Sequence, residues 1–140
     1  MTGSLHVTGA LLDGSHPLSS LTVLGSLFAS NAVTRGELVI GGDVRITNLW
    51  YLNSGNDYTV HIAGDVHAAV FYEDGMRTTI GGTLTGAAVS LHNEVTTRVG
   101  KLARGTVDPQ CFAEDVLDED APAVEKLVEA ARLERALLRR

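Results

Sequence analysis

The sequence predicts an all-β solenoid, a short β-helix of about six rungs of ~18 residues, with a C-terminal α-helix packed on it. Three observations lead there. One nine-residue pattern recurs along residues 5–105. A glycine holds a fixed place in most copies. After Val107 the composition changes from glycine-rich to helix-forming.

Aligned on one β-branched residue, the copies are 5–13, 21–29, 38–46, 60–68, 78–86 and 97–105, anchored on Val7, Val23, Ile40, Ile62, Ile80 and Val99. Two residues after the anchor stand Gly9, Gly25, Gly42, Gly64 and Gly82, with Lys101 in the last copy. Four after it stand Leu11, Leu27, Val44, Val66 and Leu84, and the last copy brings Leu102 one residue early. Apolar residues alternating with small or polar ones make each segment a strand with one buried face. Glycine at a constant offset marks a corner where a Cβ would clash. A second apolar stretch follows in most copies, at Ala32-Val33, Leu49 to Leu52, Val70-Phe71 and Val89 to Leu91. Such a rung is too small to fold alone. Stacked ~4.8 Å apart, the rungs pair strand on strand around one apolar column. The five anchors from Val7 to Ile80 are expected in that column. Asn31 and Asn48 share an offset and form a candidate amide ladder at a corner.

His61 and His67 flank Asp65, which raises the question of a metal. Their offsets hold Thr, Leu, Phe or Arg in other copies, so they are expected to face solvent. Zinc wants three or four ligands in a fixed cluster, and no cysteine or third ligand stands beside them. No metal or other cofactor is expected.

Bulky aromatics gather in the widest rungs: Trp50, Tyr51, Tyr58, Phe71 and Tyr72. In a strand, neighbours alternate between faces, so Trp50-Tyr51 and Phe71-Tyr72 should each turn one ring outward. Trp50, Tyr51, Tyr58 and Tyr72, with Glu73 and Asp74 beside them, are the expected partner-binding residues, as exposed aromatics near charge are common interface anchors.

The rungs Ile40-Gly41-Gly42-Asp43-Val44 and Ile62-Ala63-Gly64-Asp65-Val66 resemble those of bactofilins, the bacterial polymer-forming cytoskeletal proteins, over about residues 5 to 107. The resemblance implies a right-handed, roughly triangular β-helix that assembles end to end without nucleotide. The chain departs from it in the 22-residue spacing swollen by residues 53–58 and in its helical tail.

Three segments are expected to form one structural unit: the solenoid (1–107), an acidic connector (108–120) and an amphipathic helix (121–140). The helix follows from a run without glycine, a Val124, Leu127, Val128 and Ala131 stripe extended by Leu133, Leu137 and Leu138, N-cap candidates at Asp118 to Asp120, and Pro122 in the first turn. At ~28 Å it would match the whole stack, lying along one side or across an open end. Across an end it would stop end-to-end growth and along a side it would leave the end free; the docked helix is expected to help keep the protein from growing end to end.

A net charge of −6 excludes binding by phosphate neutralisation, so no nucleic-acid partner is expected. One cysteine excludes an internal disulfide framework. Neither a secretion signal nor a membrane span is legible, and a cytoplasmic protein is expected. There is no phosphate loop, Cys-His pair or nucleophile elbow. A hexapeptide-type acyltransferase would need more coils and a trimeric cleft. The chain therefore reads as a non-enzymatic protein-binding module. The first form is an acidic immunity-type protein that neutralises a basic toxin or enzyme. The alternative is a bactofilin-like self-assembling scaffold.

Overall fold

The computed structural model describes residues 3–12, 20–102, 105–106, 109–119 and 121–139. It is a β-solenoid of about five stacked turns with one helix packed on it. The described part of the first turn is β1 (Leu5–His6) and β2 (Ala10–Leu12). The second holds β3 (Ser20–Val23), β4 (Leu27–Ala29) and β5 (Asn31–Thr34). The next three pair a short strand with a long one: β6 (Glu37–Ile40) with β7 (Val44–Leu52), β8 (Thr59–Ile62) with β9 (Val66–Glu73), and β10 (Arg77–Ile80) with β11 (Leu84–Ser90). β12 (Val95–Thr97) opens a further turn. β13 (Gly100–Leu102) and β14 (Gly105–Thr106) then run back antiparallel to β12 and β11. All pairing between the preceding turns is parallel.

Two sheets wrap the core, one of β3, β6, β8, β10 and β12, the other of the long strands and their counterparts. The long strands shift register midway, between Ile46 and Leu49 in β7 against β9 and between Thr85 and Ala87 in β11, so each covers two faces. At the second shift Gly86 takes φ +126, and a Cβ there would collide with the Ala68 carbonyl. No L side chain fits that position without the chain moving.

Val23, Ile40, Ile62 and Ile80 stand in one register column and are buried, as the repeat requires. The two terminal copies are corrected. Val7 lies outside that column: Leu5 pairs with Leu27, which continues through Val44, Val66 and Leu84, and the Val7 N–H donates to the Phe28 carbonyl at 2.8 Å. The corner glycine of the first turn is therefore Gly3, stacked under Gly25, and not Gly9. At the other end Val99 is 80% exposed, and Val95 is the buried residue of the last strand. That is why five turns complete where six copies were expected.

The corner after each glycine carries a ladder of side chains. The Ser26 N–H donates to Ser4 Oγ (3.0 Å), Asp43 N–H to Ser26 Oγ (2.9 Å), Asp65 N–H to Asp43 Oδ1 (2.8 Å) and Thr83 N–H to Asp65 Oδ1 (2.8 Å). Glycine precedes each of these residues because a Cβ at Gly64 or Gly82 would run into the aspartate of the previous turn. The expected amide ladder is present too: Asn48 Nδ2 donates to Asn31 Oδ1 at 2.9 Å, and so does the Leu49 N–H at 3.1 Å.

The tail differs from expectation. Two single 3₁₀ turns (Pro109–Cys111 and Glu114–Val116) lead to a small hairpin, β15 (Leu117–Asp118) with β16 (Ala121–Pro122), and the helix α1 spans only Val124–Arg132. Its N-cap is Ala123, without side-chain capping. Pro122 lies in β16 rather than a first helical turn, and Asp118 pairs with Ala121 in the hairpin. Leu127, Ala130 and Ala131 are buried, Val124 is half-buried, and Val128 faces out at 40% exposure. After Arg132 the chain turns at Glu134 (φ 56), and Leu138 bridges antiparallel to Phe112, so Leu137 and Leu138 pack without helix. At nine residues α1 covers ~13.5 Å, half the predicted length, and it lies on the side of the solenoid against β7.

Candidate functional site

Of the expected partner-binding residues, Trp50, Tyr51, Tyr72 and Glu73 sit on the last halves of β7 and β9, Asp74 follows β9 and Tyr58 precedes β8. Alternation holds there: Trp50 and Phe71 point into the solenoid, Tyr51 and Tyr72 away from it. Trp50 and Phe71 pack edge to face, 5.6 Å between centroids, and the indole N–H donates to Thr34 Oγ1 at 2.9 Å, which satisfies the polar atom of a fully buried ring.

The expectation of exposed rings is corrected. Tyr51 and Tyr72 point outward but are buried, because the tail covers them with Phe112, Val116, Leu127 and Ala130. Leu49, Val70 and Val89 complete the covered face. Tyr58 is half-buried against the inner core. Burial, and then the negative charge of Asp74, push the Tyr72 hydroxyl up to about 12. Tyr51 is raised, first by burial. Its bond from Asn53 opposes the shift, and its bond to Asp74 supports it.

Glu73 is also corrected: it is fully buried and points inward. Oε2 accepts the N–H groups of Gly75 (2.8 Å) and Met76 (2.9 Å) and the amide of Asn93 (2.8 Å). Oε1 accepts those of His92 and Asn93, both at 3.0 Å. Burial pushes this carboxyl up, but the donors outweigh it and its pKa lies below the ordinary glutamate value. Glu73 thus ties the corner of one turn to the corner of the next. Nothing in the repeat predicted this, since only one turn carries such a residue at that register.

Asp74, half-buried, joins a chain of polar contacts at the rim of the covered face. Tyr51 Oη donates to its Oδ2 at 2.8 Å, Asn53 Nδ2 donates to Tyr51 Oη at 3.0 Å, and His92 Nε2 lies 3.0 Å from Asp74 Oδ1. These contacts hold Tyr51 in place. They involve no nucleophile with a base beside it.

His61 and His67 are exposed, on different faces of the coil. Asp65 between them is occupied in the corner ladder. Among the described residues no three His, Cys, Asp or Glu side chains are grouped to hold a metal ion. No helix is long and apolar enough to cross a membrane among them.

The two ends of the solenoid remain, and they are unlike. At the C-terminal end β13 and β14 reverse direction, with Arg98 and a Glu94–Lys101 pair (3.5 Å) beside them. At the N-terminal end β1, β2 and β3 are the last strands of their sheets among the described residues. Leu5, Val7, Leu11 and Leu21 are only half-buried, and Leu12 and Leu24 are 74% and 60% exposed. Residues 3–12 and 20–34 contain no Asp, Glu, Lys or Arg. The sequence signal for this end was its sparse charge, with Asp13 the only Asp, Glu, Lys or Arg before Arg35, which the repeat alignment passed over. No family model, curated protein or solved structure matches the chain.

Proposed function

We propose that the protein is a non-enzymatic protein-interaction module that works as a bactofilin-like, self-associating scaffold element through its N-terminal solenoid end. One observation carries this reading: among the described residues the end rung presents half-buried and exposed leucines and strand edges without a charged side chain, Asp13 lying outside the described residues. Edges are normally blunted by charge, proline or a covering element, and an uncharged one is a template for another β-chain. The side placement of the tail supports it, since α1 leans on β7 and not over the N-terminal rung. The test is the mass of the purified full chain by light scattering across concentration. Assemblies above one chain support the reading, and a monomer at every concentration overturns it.

A second reading is the immunity-type module that neutralises a basic toxin or enzyme, favoured by the exposed acids of the tail, Glu114, Asp118, Glu119 and Glu125. Opposite charge would speed capture of such a partner. It predicts a discrete complex with a basic protein encoded nearby, lost when Glu114, Asp118 and Glu119 are changed to Lys.

A further inference from the structure

We infer that the described tail, residues 111–119 and 121–139, is a lid that opens and closes as one body over the outer face of Tyr51 and Tyr72, and that residues 137–139 are the clasp that keeps it shut. The inference goes beyond the scaffold reading and does not depend on it.

The clasp is a piece of antiparallel pairing between the two ends of the tail. Phe112 bridges Leu138. On either side of that bridge the Ala113 N–H donates to the Leu137 carbonyl (2.9 Å) and the Arg139 N–H to the Cys111 carbonyl (2.8 Å). Arg139 adds its side chain. Nε donates to the Phe112 carbonyl at 3.0 Å, and the guanidinium lies 3.6 Å from the Glu114 carboxylate. The Arg139 side chain is exposed, so it closes the clasp without filling the buried cluster.

The rest of the tail depends on this closure. α1 has nine residues and no side chain capping its N-terminus. That is below the ~12–15 residues at which an isolated helix is even marginal. Its buried residues Leu127, Ala130 and Ala131 share one cluster with Phe112 and Leu137, the two buried side chains that the clasp sets beside each other. Further bonds also run within the tail. The Ala123 N–H donates to the Val116 carbonyl (2.9 Å), Lys126 Nζ donates to the Leu117 carbonyl (2.6 Å), and Arg135 lies 3.4 Å from Asp115.

Toward the coil the tail presents apolar packing, with the Tyr72 hydroxyl donating to the Pro122 carbonyl at a long 3.5 Å. A body bonded within itself and packed against its neighbour parts at the packing, as a unit. Opening the clasp separates Phe112 from Leu137 and takes away the support of α1. Leu49, Tyr51, Val70, Tyr72 and Val89 are then uncovered together. The coil stays whole, because its inner cluster, with Trp50 and Phe71, is separate from the cluster under the tail.

The experiment is native-state hydrogen exchange on the full chain, wild type against Arg139→Pro, Arg139→Ala and Arg132→Ala. Arg139→Pro deletes the main-chain donor and the side-chain donor of the clasp and removes nothing from the core. In the wild type the amides of Ala113, Leu127, Leu133 and Arg135 are expected to share one protection factor, below that of the coil amides Val44, Gly64 and Val66. In Arg139→Pro all four should exchange faster by one common factor of at least ~10, the scale of two lost hydrogen bonds. The three coil amides should keep their wild-type protection. Arg139→Ala keeps the main-chain bond and should accelerate the four by less. Arg132→Ala removes only the exposed pair with Glu129 on α1 and should change none of them. If Arg139→Pro frees Ala113 while Leu127 and Arg135 keep their protection, the pairing is local and holds no lid. If the coil amides accelerate along with the tail, or if Arg132→Ala acts as strongly as Arg139→Pro, the lid is not a separate body closed at residues 137–139. Each of these results overturns the inference.

Discussion

Neighbouring residues of one strand bury their aromatic rings by different means. Trp50 and Phe71 are enclosed by the repeat itself, between Ala32 of the turn before and Ala88 of the turn after. The rungs supply small residues above and below, and the middle turns supply the rings. Tyr51 and Tyr72, one position along, are enclosed only because residues after the solenoid return to cover them. Inner burial is a property of stacking and persists as long as the coil does. Outer burial is a contact between two parts of the chain, with its own smaller free energy. The core of a solenoid is therefore read from periodicity, but the state of its outer face depends on sequence far away.

The sharpest break is at Trp50. Trp50→Ala leaves a cavity inside the widest rung and orphans Thr34 Oγ1, and is expected to cost about 3–5 kcal/mol in chemical denaturation. A cost below about 1 kcal/mol would place the indole outside the core.

Next is Leu127→Ala, which removes the fully buried contact of α1 and is expected to cost about 2–4 kcal/mol of docking. The Tyr72 hydroxyl reports it. Its raised value means that the folded state holds the proton more tightly than the unfolded one. That contribution is complete below 10.0 and is lost as pH rises from 10.0 to about 12. In an alkaline ultraviolet titration, Leu127→Ala should return the late-titrating tyrosine toward 10.0. An unchanged titration would mean that the tail is not what buries it.

Glu73→Gln probes the one charged member of the inner column. An amide accepts less well than a carboxylate, and the donors it leaves short are expected to cost about 1–3 kcal/mol at neutral pH. Because the folded-state pKa of Glu73 is lowered, its stabilisation is present above about 4.5 and is lost as pH falls through the folded value. The variant should lose less stability than the wild type on acidification through that window. Parallel acid-unfolding curves would refute the role. Smallest of all, changing His61 and His67 together to Thr should leave the denaturation midpoint and the metal content unchanged. Stoichiometric zinc lost in that variant would reveal a site.

The pattern of what was legible follows from the same contrast. Val23, Ile40, Ile62 and Ile80 could be aligned because four parallel strands demand one register, and Asn31 with Asn48 followed from it. Val7 misled because "HVTGALL" in the first turn imitates "TVLGSLF" in the second, whereas the pairing of Leu5 with Leu27 decides the phase. Alternation assigned Tyr51 and Tyr72 to the outer face, but not their burial, since no local pattern states where a tail will dock. The helix was drawn too long for a similar reason. Leu133, Leu137 and Leu138 keep helical spacing, yet the backbone turns at Glu134 and a bridge to Phe112 takes Leu138. Glu73 was invisible because its donors are mostly main-chain groups, drawn from two turns.

The corner ladder from Ser4 to Thr83 has one more consequence. Successive corner glycines, at 3, 25, 42, 64 and 82, are 22, 17, 22 and 18 residues apart, yet every turn meets the next through the same carbonyl and side-chain bonds. The seam measures height and ignores circumference: in the third turn the excess leaves through the 53–58 loop while the stack stays in step. A length of chain that begins Gly-Asp and returns to the same corner is then an interchangeable part. A duplication of residues 42–63 would lengthen the column by one storey, and the protein's height is a quantity that recombination can set by counting.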